Sequence, residues 1–176
     1  MVGASAATPA LLSLIKGCTP ARTPLWKAKA FTEQQSLTVE DVLDIIMPKT
    51  ATPGAVELEV HKFIDDMVSI IFKEEKKLAF VKGLDALDKV TNDKFGNTFA
   101  ACTKEQKIEI LTEEDKGGDD KILVGGRTFF AEFKNLATTG YFRSEVGCTS
   151  VKKHVGVPGR WEGCIAMEAD QPVWAE

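Results

Sequence analysis

A chain of 176 residues, 44% apolar and 27% charged, has the length of one domain and the composition of an ordinary globular protein. Its net charge of −4, with lysines scattered among acids, leaves no basic footprint and argues against nucleic acid as a partner. No apolar run reaches the length of about 18 residues that a membrane-spanning helix needs. Residues 3–18 run from small residues into Leu11, Leu12, Leu14 and Ile15 and end in Lys16-Gly17-Cys18, before polar Thr19-Pro20-Ala21-Arg22. This is the shape of an export-signal core closing on a small residue and a cysteine. Gly17-Cys18 is similar to a bacterial lipobox, which makes Cys18 a lipidation candidate. Lys16 is atypical at that place, and no basic segment precedes the run. The alternative is an amphipathic N-terminal arm. Residues 1–25 are therefore read as the remnant of an export signal or lipobox plus a linker, and residues 26–176 as one helical domain.

Thr32-Glu33-Gln34-Gln35 is a capping box opening a helix whose inner face carries Leu37, Val42, Ile45 and Ile46. Pro48 and the Thr50–Ala55 stretch end it in a turn. Val56, Val60, Phe63, Ile64, Met67, Val68 and Ile71 then recur at three- and four-residue steps, predicting one amphipathic helix over 56–71. A further helix is predicted over Glu75–Lys94, with Leu78, Val81, Leu84 and Leu87 inward and Gly96 as its cap. Gly83 in its middle costs about 1 kcal/mol against Ala, which points to a close helix–helix approach. Thr103-Lys104-Glu105-Gln106 is a second capping box. The acidic stretch from Glu113 to Asp120 lacks EF-hand spacing and reads as a solvated loop rather than a calcium site. Thr128–Thr139 carries Phe129, Phe130, Phe133, Leu136 and Ala137 at helical spacing, stopped by Gly140. The fold class is all-α: a small helical bundle with a long irregular C-terminal extension rich in Gly, Pro and aromatics. From Gly140 onward the glycines and Pro158 argue against both long helix and sheet. The interleaved aromatics argue against disorder.

Catalytic apparatus is missing. No Gly-x-Gly-x-x-Gly follows a strand, no glycine loop ends in Lys-Ser/Thr, and Gly125-Gly126-Arg127 reads as a plain turn. No nucleophile sits in a recognisable context. The four cysteines show no metal-binding spacing. Cys102 reads as an isolated buried thiol. Cys148 and Cys164 are a candidate disulfide pair that spacing alone does not establish. His61 falls on a helix, at the surface or the core edge, while His154 lies in the tail near Arg160 and is a candidate contact to a ligand or partner.

The ordered series Phe31-Thr32-Glu33-Gln34-Gln35, Asp44-Ile45-Ile46-Met47-Pro48, Thr52-Pro53-Gly54-Ala55, Phe63-Ile64-Asp65 and Gly83-Leu84-Asp85-Ala86-Leu87-Asp88 resembles the gluconate 2-dehydrogenase subunit 3 family. Phe95-Gly96 with Phe99, Phe129-Phe130, Thr139-Gly140-Tyr141-Phe142, Glu145-Val146-Gly147 and Val157-Pro158-Gly159-Arg160-Trp161-Glu162-Gly163-Cys164 extend the likeness over about residues 26–175. The resemblance implies a non-catalytic small subunit that stabilises and escorts a large FAD-dependent dehydrogenase of the glucose–methanol–choline type. It places FAD in that partner and no cofactor in this chain, with a cytochrome c as candidate electron acceptor. It implies oxidation of a sugar or glycoside in a bacterial periplasm, with the finer likeness to glucoside 3-dehydrogenases, and co-export through the small subunit's signal. This chain carries no twin arginine. Tyr141, Phe142, His154, Arg160 and Trp161 are then the expected partner contacts, because aromatics and Arg bury large area with few rotors to freeze. Alternatives are a tail that completes the partner's substrate pocket, a tail wrapped on its own bundle, or a free-standing sugar-binding lipoprotein.

Overall fold

The computed structural model describes residues 22–116 and 122–154, and beyond them 159, 164, 166 and 169–175. Helix α1 spans Glu33–Ile46, and its capping box forms as expected: Gln35 N donates to Thr32 Oγ1, and Thr32 N donates to the Gln35 side chain at 3.0 Å. Helix α2 covers only Val60–Asp66, not 56–71. Residues 55–59 form turns, and Glu59 takes a left-handed conformation with φ of 55°, which interrupts any helix begun at Val56. Beyond Asp66 the chain widens into a π-helical turn, Met67–Ile71.

Helix α3 spans Glu74–Phe95 and ends on Gly96, whose φ of 70° is the left-handed cap read from the sequence. Its inward face is Phe80, Gly83, Leu84, Leu87 and Thr91. Leu78, expected inward, is exposed, because Phe80 takes the core position of that turn. Helix α4 spans Lys104–Asp115 behind the second capping box. Strands β1 (Leu123–Val124) and β2 (Arg127–Thr128) form a two-residue hairpin. Gly125 and Gly126 both have positive φ at its tip, as such tight hairpins demand.

Helix α5 runs Phe129–Arg143, straight through Gly140. Gly140 is there for space, not as a stop: a Cβ would lie 2.7 Å from Phe63 Cδ1 and 2.9 Å from Val60 Cγ1, so α2 crosses α5 at this point. The segment from Gly140 is correspondingly less irregular than its composition implies, with a second π-helical turn at Gly147–Val151. Two-residue strands β3 (Lys153–His154) and β4 (Trp174–Ala175) pair in parallel. Helices otherwise dominate the described residues, in agreement with the all-α expectation.

The core centres on Phe80. Its ring stacks on Phe133 at 6.0 Å between centroids, meets Phe129 edge-on at 5.2 Å and Phe72 edge-on at 6.2 Å, and adjoins Phe31 at 6.1 Å. Such aromatic pairs add about 0.5–1.5 kcal/mol each beyond the area they bury. Gly83 permits this arrangement, because a Cβ there would fall on the ring atoms Cγ and Cδ2 of Phe129. Gly83→Ala is expected to destabilise by about 1–3 kcal/mol through overpacking, against the roughly 1 kcal/mol that Ala contributes by helix propensity. Urea titration checks it. A midpoint at or above the wild-type value means that Phe129 gives way freely.

Candidate functional site

The π-helical turn shapes an exposed apolar surface. Phe72 N donates to Met67 O at 2.9 Å, closing a ring one residue wider than an α-turn. The wider turn sends Val68 into the core and leaves Ile70 67% and Ile71 64% exposed. Opposite them the hairpin holds Leu123 outward, 61% exposed. Between the turn, the start of α3, the hairpin and the face of α5 lies a groove of about 770 Å³, with Phe63, Met67, Ile71, Phe72, Leu123 and Leu136 among its lining residues. π-helical turns cluster at functional sites, and contiguous apolar surface of this kind marks binding surfaces in soluble proteins.

The four charges lining the groove, Lys73, Glu75, Lys76 and Glu132, sum to zero, and Lys76 and Glu132 pair directly. Glu132, on the first turn of α5, is buried and accepts from Lys76 Nζ at 2.6 Å. The same ammonium lies 3.9 Å from the centroid of the Phe72 ring, and Arg127 Nη1 stands 3.8 Å from the second carboxylate oxygen. The groove therefore presents an apolar floor with a neutralised polar edge, a chemistry suited to apolar side chains of another protein. Among the described residues no cluster of His, Cys, Asp and Glu is arranged to hold a metal ion, and no helix is long and apolar enough to cross a membrane.

On the far side, the extended segment 22–31 lies across α1 and α2, held by carboxylates. Asp65 accepts from Lys29 N at 2.9 Å, Ala30 N at 2.9 Å and Trp26 Nε1 at 3.4 Å. Glu40 accepts from Arg22 Nη2 at 2.8 Å and Leu25 N at 2.6 Å. Asp41 pairs with Arg22 and with Lys107 of α4. Beneath the segment, His61 is only 2% exposed and its ring lies against Trp26, 4.5 Å between centroids and tilted by 40°. Burial pushes its pKa below the ordinary imidazole value, and Lys62 adds to this, while Glu40, Glu59 and Asp65 oppose it. His61 is thus a core residue beneath the segment rather than a surface one.

The residues expected to face a partner are dispersed. Tyr141 is buried, and its hydroxyl donates toward Pro53 O at 3.0 Å and Thr52 Oγ1 at 3.2 Å, so it ties α5 to the turn after α1 instead of standing free. Phe142 is half-buried, edge-on to Tyr141 at 5.2 Å, with Lys152 Nζ 5.1 Å above its ring. At these two positions the tail wraps its own bundle. His154 contributes backbone to β3, while Arg160, Trp161 and Cys18 lie outside the described residues, as does the 117–121 part of the acidic loop. Cys148 and Cys164 are free thiols and the bridge between them is not formed; Cys148 Sγ donates to Phe142 O at 3.2 Å and Cys164 is exposed. Cys102 is buried, and burial raises its thiol pKa, as fits an inert side chain. Helical periodicity picks out Phe63, Met67 and Ile71 of the groove wall but reads them as buried. The signal that this face stays open is Ile70 beside the groove, an exposed apolar residue off the stripe that runs through Val60, Ile64 and Ile71.

The family model for gluconate 2-dehydrogenase subunit 3 matches residues 33–159. The chain belongs to that family. No curated protein and no solved structure matches it. The family is that of a small non-catalytic subunit of a dehydrogenase complex, which implies a larger dehydrogenase as partner. Within the chain, the Lys76–Glu132 pair is what keeps a carboxylate tolerable at the groove edge. Lys76→Met is expected to lower stability by about 1–3 kcal/mol by leaving Glu132 buried without its main partner, and Lys76→Arg to keep most of it. Equal urea midpoints for wild type and Lys76→Met would mean that Arg127 or solvent satisfies Glu132 unaided.

Proposed function

We propose that this chain is the non-catalytic accessory subunit of an exported FAD-dependent dehydrogenase of the glucose–methanol–choline type, acting on a sugar or glycoside in the periplasm. It stabilises the flavoprotein and accompanies it across the membrane, and it docks through the groove between the π-helical turn and the hairpin. The observation that carries the docking surface is Ile71 standing exposed on a rare turn and sharing the groove with an exposed Leu123, with Ile70 exposed beside it. Membership of a family of dehydrogenase subunits supplies the kind of partner. The neutral groove edge fits an apolar anchor from that partner. A stable contact of this kind buries about 1,200–2,000 Å² in total, so the groove forms its centre, with polar surface around it.

Affinity capture on the full tagged chain, co-expressed with the dehydrogenase that accompanies it, tests the reading. The wild-type chain is expected to retain a large protein with flavin absorbance. Ile71→Asp, alone or with Ile70→Asp, is expected to weaken that capture by about 30-fold or more, the loss of a hot spot of about 2 kcal/mol. Because both side chains are exposed, the free variant should stay within about 0.5 kcal/mol of wild-type stability. Undiminished capture by the double variant sinks the groove as the docking surface. Failure of the wild-type chain to retain any flavoprotein sinks the functional reading.

A further inference from the structure

His61 occupies the one joint where α1, α2 and segment 22–31 meet. Its ring is covered by Trp26, and its Nδ1 is buried without a hydrogen-bond partner. The charged groups acting on it are Glu40 from α1, Glu59, Lys62 and Asp65 from the α2 region, and no charged group from the covering segment itself. The two carboxylates best placed to accept from an imidazolium are already committed. Asp65 is taken up by the amides of Lys29 and Ala30 and the Trp26 indole, and Glu40 by Arg22 and the Leu25 amide. Glu59 is paired with Lys62. The hydrogen bonds that hold the segment thus draw on the same acceptors that a protonated His61 would require.

We propose that His61 is an acid-operated latch: as neutral imidazole it lets segment 22–30 lie across α1 and α2, and as imidazolium it competes for Glu40 and Asp65 and displaces that segment. A protonated imidazole left buried without acceptors is costly, and the cheapest relief is to open the layer that covers it. That layer is a surface segment held through carboxylates, whereas α1 and α2 are anchored by fully buried Val39, Leu43, Val60 and Ile64. The opening is therefore local. The sign follows from burial, which favours the neutral form. The closed state is fully favoured above the ordinary imidazole pKa and loses that advantage as pH falls below it, until the closed-state pKa is reached. Acidification would free the stretch by which the first 21 residues join the body.

Amide hydrogen exchange of Lys29 and Ala30 in the full chain, corrected for intrinsic rates and followed by NMR from neutral to mildly acidic pH, tests the latch. The expected result is protection that is constant above the ordinary imidazole value of about 6.5, falls about tenfold per pH unit below it, and levels off once the closed-state pKa is reached. In His61→Gln, which has no proton to gain, protection should persist until the carboxylates themselves protonate. Identical profiles in wild type and His61→Gln overturn the proposal, as does wild-type protection that stays flat. Should His61→Gln fail to fold, the wild type decides alone. If the latch operates, the His61 ring resonance titrates at the pH where the Lys29 and Ala30 protection levels off; a ring that titrates while that protection stays unchanged refutes it.

Discussion

The approach of α3 to α5 at Gly83 is the constraint from which most of the architecture follows. With no Cβ at that position, the Phe129 ring occupies the space directly over the α3 backbone. Phe129 is the first residue of α5, so its seating fixes where α5 begins and where the hairpin before it must turn. It also brings Phe133 parallel to Phe80 and sets Glu132 beside Lys76. The groove wall is thus a consequence of one missing methyl group. A second glycine repeats the device at the other crossing, where Gly140 lets Val60 and Phe63 of α2 press against α5. Two close approaches, one near each end of α5, hold α3 and α2 against it, and the π-helical turn has to span the gap between them.

That gap explains why the turn is π rather than α. A continuous α-helix from Val60 would keep Ile64, Val68 and Ile71 on one buried stripe. The chain must instead leave the α5 crossing at Gly140 and reach the start of α3 by Glu74. Widening the turn by one residue rotates the rest of it about the helix axis, so Val68 stays in the core while Ile70 and Ile71 emerge. Exposing two isoleucines forgoes roughly 1.5–3 kcal/mol of burial for each. A free-standing protein gains nothing from such exposure. A subunit recovers it on assembly, which is consistent with membership of a family of dehydrogenase subunits.

Much of the fold was legible because local chemistry decided it. The two capping boxes, the Gly96 cap and the aromatic stripe of α5 each depend on residues within a few positions of one another. The departures occur where a distant partner overrides the local signal. Gly140 reads as a helix stop, yet the side chains of α2 require it inside a helix. Leu78 fits the inward pattern of α3, yet Phe80 has four aromatic neighbours waiting for it. Tyr141 looks like an interface anchor, and the turn at Thr52-Pro53 takes up its hydroxyl instead. The groove was illegible for the same reason: it is composed of four elements brought together by two crossings, and its stripe residues Phe63, Met67 and Ile71 read as buried core.

The buried carboxylates complete the division of labour in the molecule. Glu40, Asp41, Asp65 and Glu132 are all buried on helices, where an apolar residue of similar size would cost less to desolvate. Three of them face segment 22–31 or its anchors, and the fourth faces the groove. None is needed to fill the Phe80 core. Each instead fixes a piece of extended chain or a long side chain that apolar contact alone would leave free to slide, since hydrogen bonds are directional and burial is not. Shape in this bundle comes from aromatics and glycine, while position at its edges comes from charge. A small subunit of a dehydrogenase complex depends on that positioning, because what it offers a partner is a surface held in place.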